Sequence, residues 1–252
     1  FSSLSQLILK FTNLYPAIAI PILIQYGVEA IKSDDIRQKE MGLFSINTAI
    51  YYFSEDNDET KGFCMQSITF ALNIIGSEVD IENSEQIKFI SQCIENVYNI
   101  HFLYPDLIDY SIILPRLLEF MVTPIHKNSQ LLIIEIIKKE NFENEQLFQL
   151  ITSLLSIQSY YSIKCVYDIL YYKYSPEILS QIFPQIMEYL ISIIQSNSND
   201  EHILIILEPI LQIINLVINV NREIIVEDYQ NFVQIITECY HNFGIPESIR
   251  IL

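Results

Sequence analysis

The sequence predicts an all-α fold: an α-solenoid of antiparallel helix pairs, about six repeats in 252 residues. Three observations predict it. Glycine is scarce, at 5 residues, whereas all-β proteins and phosphate-cradling α/β enzymes need many for turns and loops. Hydrophobic residues make up 50% of the chain and mean hydropathy is +0.28, with long Ile/Leu runs that suit tightly packed helices. Breaks rich in Pro, Asn, Ser and Asp cut the chain into twelve segments in six pairs, and the second helices of the pairs start about every forty residues, the period of HEAT and armadillo units.

These breaks divide the chain into helical segments that fall into successive pairs. The first pair covers 3–14 and 16–32, with Ser3 and Gln6 spaced as a capping box and Pro16 opening the second helix. The second covers 34–53 and 62–75. Asp34 and Asp35 can cap its first helix, and its second sets Cys64, Ile68, Ala71, Leu72 and Ile75 on one face. The third covers 84–101 and 104–121, with Pro105 at the second start. The fourth covers 124–138 and 143–156 behind Thr123-Pro124. The fifth covers 159–173 and 176–194, where Ser175-Pro176-Glu177 repeats that device. The sixth covers 199–219 and 222–241. The runs Leu131 to Ile137 and Ile203 to Val217 are apolar almost all round, so neighbours must cover them on several sides.

The second helices of the pairs are more amphipathic. Over 222–241, Ile225, Tyr229, Phe232, Val233, Ile236 and Tyr240 oppose a polar stripe of Glu223, Glu227, Gln230, Gln234 and Glu238. Over 176–194 the outward stripe is Glu177, Gln181, Glu188, Ser192 and Gln195. Pro21, Pro115, Pro184 and Pro209 fall inside helices, and their recurrence argues for built-in curvature.

The net charge is -17, from 14 basic and 31 acidic residues. Such a field opposes nucleic acid and anionic membrane and favours basic proteins. The longest uncharged stretch, Phe11 to Val28, contains Asn13, Pro16, Pro21 and Gly27, and reads as a buried helical hairpin rather than a membrane span. Ser54 to Thr60 forms an acidic link between helices, with Glu55, Asp56, Asp58 and Glu59 able to attract Lys and Arg. Tyr160-Tyr161 and Tyr171-Tyr172 read as core and boundary packing.

Chemistry-bearing patterns are missing. The sequence lacks GxSxG, HExxH, Walker A and GxGxxG. His101, His126, His202 and His241 share no ligand spacing with one another or with Cys64, Cys93, Cys165 and Cys239. The expectation is a binding protein and not an enzyme, with no catalytic residue, cofactor or metal. The four cysteines read as reduced, buried thiols of an intracellular protein without disulfides. The first residue is not Met, and Pro246-Glu247 resembles the start of another helix, so the chain is expected to be an interior piece of a longer protein.

Three stretches resemble the importin-β-like karyopherins, the HEAT-repeat nuclear transport receptors. Asp35 through Ile46 is similar to the family's first repeat helix, with a charged start and a small-residue packing face. Ser175 through Leu190 is similar to its second helix, and Asp200 through Leu211 to the helix that follows. The resemblance implies a receptor segment shuttling between cytoplasm and nucleus. Second helices would line a concave face and hold basic cargo proteins. A Ran-type small GTPase would bind through regions outside this chain. On this reading the partner-binding candidates are Glu55, Asp56, Asp58, Glu59, Glu177, Glu188, Glu223, Glu227 and Glu238. The alternative is a HEAT-repeat scaffold that organises a multiprotein complex.

Overall fold

A computed structural model describes residues 2–52, 58–80, 82–173, 175–195, 201–220, 233–235 and 237. Among the described residues there are eleven α-helices, one 3₁₀ turn and no strand. The helices are α1 (Ser2–Leu14), α2 (Pro16–Ala30), α3 (Ile36–Tyr51), α4 (Asp58–Ile75), α5 (Ser84–Leu103), α6 (Tyr110–Phe120), α7 (His126–Lys139), α8 (Asn144–Ile157), α9 (Tyr160–Lys173), α10 (Pro176–Gln195) and α11 (Glu201–Val220). The chain forms two compact units, residues 1–136 and 137–252.

Helix starts follow from local capping chemistry. The Asp35 carboxylate accepts from the Arg37 amide at 2.9 Å and opens α3. The Asn83 side chain accepts from the Glu85 and Gln86 amides at 3.0 and 3.3 Å and opens α5. Ser175 Oγ accepts from the Ile178 amide at 3.1 Å, directly before Pro176 at the first position of α10. Before α9, Ser159 and Ser162 cap each other: each amide donates to the other's hydroxyl, at 3.0 and 3.1 Å.

The segment expected at 104–121 begins later. Pro105 opens only a 3₁₀ turn, Pro105–Leu107, and α6 starts at Tyr110 behind Asp109, whose carboxylate accepts from the Ser111 amide at 3.0 Å. A competing tertiary link holds the turn. Tyr110 Oη donates to the Pro105 carbonyl at 3.0 Å and lies 2.9 Å from Nδ1 of the fully buried His101. With the single hydroxyl proton directed at Pro105, His101 donates from Nδ1.

The expected partnering of helices also differs. Among helices adjacent in sequence, the most extensive backbone packing joins α2 to α3, α4 to α5, α8 to α9 and α10 to α11, so these hairpins fall one helix out of step with the sequence pairs, while α1 packs on α2 as the first pair expects. At α2/α3 the cause is small residues. A Cβ built on Gly42 would lie 2.9 Å from Ala30 Cβ and 3.0 Å from both the Gly27 carbonyl oxygen and the Ile31 nitrogen. Only hydrogen at these positions lets the two backbones approach so closely. Beyond the hairpins, each layer skips one helix. In the first unit α3 packs on α1 and α5, and α4 on α6; in the second α8 packs on α10, and α9 on α11.

The first unit's core combines apolar packing with a buried polar relay. Leu43, Ile46, Ile94, Val97, Ile100 and Leu117 have no solvent exposure. Among them Asn96 on α5 donates to Asn47 Oδ1 on α3 at 2.8 Å, and accepts from Ser67 Oγ on α4 at 3.0 Å. Three helices are thereby fixed in register, and replacing Asn96 by an apolar residue would strand two buried groups, at about 1–3 kcal/mol each. Arg116 on α6 completes the end of α4. Its Nε donates to the Ile75 carbonyl at 3.1 Å and a terminal nitrogen donates to the Ser77 carbonyl at 2.8 Å, while Glu119 pairs with its other end. A cation at a helix C-terminus meets both the orphan carbonyls and the negative end of the dipole.

Leu132 to Ile136, at the end of the first unit, and Ile137, at the start of the second, are covered, with only Leu131 at the edge of the run exposed, as an all-round apolar run requires. On α11 Leu207, Ile210, Leu211, Ile213, Ile214 and Val217 are buried, but Ile205, within the expected all-round run, is 47% exposed. The uncharged Phe11 to Val28 stretch breaks at Tyr15 between two helices, and no helix among the described residues is long and apolar enough to cross a membrane. It is not the fully buried hairpin expected. Ala19, Leu23 and Gly27 face inward, but Leu14, Ile18 and Ile22 are 69%, 58% and 58% exposed.

Candidate functional site

The predicted acidic residues divide sharply. Glu55 and Asp56 in the link after α3, and Glu223, Glu227 and Glu238, lie outside the described residues, as does most of the helix expected at 222–241. Asp58 and Glu59 begin the backbone of α4, with their side chains outside the described set. Glu177 and Glu188 stand on α10, and both are exposed, as are Gln181 and Ser192 of the same stripe. The helical spacing that singled out this stripe therefore matches the solvent face of α10.

Local structure sets the two carboxylates differently. Glu177, in the first turn of α10, accepts from the Asn144 side-chain amide at 2.8 Å and so ties this turn to the start of α8. Glu188 sits about three turns further along. It borders a groove of about 300 Å³ between α8 and α10, together with Thr152, Ser156, Gln185 and Tyr189. Tyr189 Oη donates to the Gln158 carbonyl at 3.1 Å, and burial raises its pKa, so it remains a donor at neutral pH. Gln158 ends α8 with φ 54°, a left-handed conformation that the tyrosine contact helps to hold. Thr152 Oγ1 is buried without a hydrogen-bond partner. The groove thus offers a carboxylate, hydroxyls and a carboxamide, a set that receives donors such as ammonium or guanidinium groups.

Sequence reasoning found Glu188 but missed Thr152, Gln158 and Tyr189. Thr152 and Ser156 are four residues apart on α8, a polar pair at helical spacing that marked the other wall. The tyrosine pair Tyr171-Tyr172 is a correction: both are exposed, at 58% and 49%, rather than packed inside. Lys138 Nζ lies 4.4 Å from the Tyr172 ring centre, a cation–π contact at the surface.

The thiols and imidazoles sit apart. Cys64, Cys93 and Cys165 are buried free thiols on α4, α5 and α9, and Cys239 lies outside the described residues. Burial pushes the Cys64 thiol up to about 12 and moves the other two upward as well, with the Asp168 carboxylate adding to the effect at Cys165. Among the described residues no group of three His, Cys, Asp or Glu side chains is placed to hold a metal ion. No protein family, curated protein or solved structure matches the chain.

Proposed function

We propose that this chain is a protein-binding segment of a HEAT/armadillo-like α-solenoid, with a basic protein partner received on the face of α8 and α10. Within that class, the importin-β-like resemblance points to the cargo-bearing part of a nuclear transport receptor. One observation carries the reading: in both units helices pack on the next but one, odd on odd and even on even. Stacked two-helix repeats pack in this way, and they use one layer as an extended binding surface. Glu188 borders a groove rich in hydrogen-bond acceptors on such a layer, and Glu177 stands on the same exposed stripe about three turns away. The net charge of -17 steers cations toward it. The apolar exposure on α1 and α2 favours a second reading, a scaffold fixed in a multiprotein complex, because wide exposed apolar surface marks interaction sites and permanent interfaces are the more hydrophobic ones.

The test is equilibrium binding of a labelled Lys/Arg-rich nonapeptide, and of a purified basic protein, to the wild type and to the double variant Glu177→Lys, Glu188→Lys. Exposed charges contribute at most about 1 kcal/mol each. The double reversal is therefore expected to weaken binding about tenfold at low salt, with unchanged helical circular dichroism and a smaller difference at high salt. Equal affinity for both proteins at low salt would remove this surface as the cargo site and leave the scaffold reading.

A further inference from the structure

The first unit carries a second groove, of about 410 Å³, on its odd-numbered helices. Phe44 and Tyr51 of α3 line it together with Gln92, Glu95 and Asn99 of α5, and Leu9 of α1 closes one edge. None of these residues belongs to the α10 stripe, and the site stands whether or not that stripe binds a basic partner.

The groove holds an unpaired acceptor beside a carboxylate. Gln92 Oε1 is buried and accepts no hydrogen bond. A buried acceptor left in that condition is costly, so a native protein keeps it for a reason. Glu95 is three residues on, on the same face of α5. Its carboxylate stays reachable from solvent, forms no ion pair among the described residues, and is desolvated enough by the groove for its pKa to rise. An unpaired acceptor next to a carboxylate without an ion pair favours a cationic ligand rich in donors.

Among protein side chains two cations fit that requirement, and the walls choose between them. A guanidinium is planar, weakly hydrated and carries five N–H donors, enough to serve Glu95 and Gln92 together; it also stacks on aromatic rings better than an ammonium does. Phe44 and Tyr51 supply such rings, and Tyr51 is 77% exposed at the rim, available to close over an entering group. Asn99, one turn beyond Glu95, adds a carboxamide whose donor and acceptor match a peptide backbone. We infer that this groove binds an arginine side chain presented by an extended segment of a partner protein, with Glu95 receiving the guanidinium between the rings of Phe44 and Tyr51 and Gln92 turning outward to share it.

The chain contains no tryptophan, so Tyr51→Trp installs a fluorophore without background at the rim. The probe is a capped Ser-Gly-Arg-Gly-Ser peptide at millimolar concentration; the same peptide with citrulline, the neutral isostere, and with lysine are its comparisons. The arginine peptide is expected to change tryptophan emission saturably. Binding should weaken at least tenfold with citrulline or in Glu95→Gln, and several-fold with lysine or in Gln92→Leu. Calorimetry on the protein with native Tyr51 provides a second readout, in which Glu95→Gln should again cost at least tenfold. Thermal melts show whether each variant remains folded; Glu95→Gln should match or exceed the wild type, since it removes an uncompensated charge. Equal response to arginine and citrulline, undiminished binding by folded Glu95→Gln, or no saturable signal by either method would overturn the inference.

Discussion

Alanine at position 42 and alanine at position 62 should act in opposite directions, although both replace a helical glycine. At Gly42 the new methyl would sit 2.9 Å from Ala30 Cβ and 3.0 Å from two backbone atoms, the Gly27 oxygen in α2 and the Ile31 nitrogen just after it. Carbon atoms prefer about 3.5–4.0 Å, so α2 and α3 would have to separate by several tenths of an ångström. No long side chain can rotate away to absorb this. Overpacking of a tight interior costs about 1–3 kcal/mol, and three rigid contacts argue for the upper half of that range. The helix propensity gained on replacing Gly by Ala returns about 1 kcal/mol. Gly42→Ala should therefore lose about 1–2 kcal/mol, which for a chain of this size lowers Tm by roughly 2–8 °C. At Gly62 nothing lies within 4 Å of the added Cβ, so only the propensity term remains and Gly62→Ala should gain up to about 1 kcal/mol. Urea and thermal melts followed by far-UV circular dichroism compare the two variants with wild type. A Gly42→Ala protein as stable as wild type would refute the close approach of α2 and α3, and a destabilised Gly62→Ala would refute the open surroundings of α4.

Two further outcomes follow from side chains described above. Arg116→Ala should lower stability by about 1–2 kcal/mol, because the Ile75 and Ser77 carbonyls lose a charged donor at a half-open site. Arg116→Lys should restore less than half, since an ammonium keeps the charge but not the fork; full rescue would show that only the charge matters. In the native protein at pH 8, Cys64, Cys93 and Cys165 should resist a thiol reagent, because burial shuts out the reagent and raised pKa values suppress the thiolate. Labelling should reach all four cysteines in urea; rapid native labelling of more than one would refute the burial.

Helix positions were legible because capping residues announce them. Asp35 and Ser175-Pro176 act locally, and their hydrogen bonds need no knowledge of the fold. The Pro105 start failed because Tyr110 and His101 compete for the same turn, a contact that no short window displays. The offset hairpins were hidden for a related reason: Gly27 and Gly42 look like unremarkable helix residues until two helices cross there. At the candidate sites, the α10 stripe was readable from one helix's periodicity. The groove at Gln92 and Glu95 was not, because Leu9, Phe44 and Gln92 come from three helices and meet only through layer packing.

The Asn47–Asn96–Ser67 relay has a consequence for how the sequence can drift. Each of the three side chains answers for another, so a lone substitution leaves a buried polar group without its complement and is selected against. Two or three changes made together, exchanging the whole relay for apolar residues of matching volume, carry no such penalty. Homologues should therefore either retain all three polar residues or lose all three. Covariation among positions 47, 67 and 96 would then record the register of α3, α4 and α5 even where overall identity has faded.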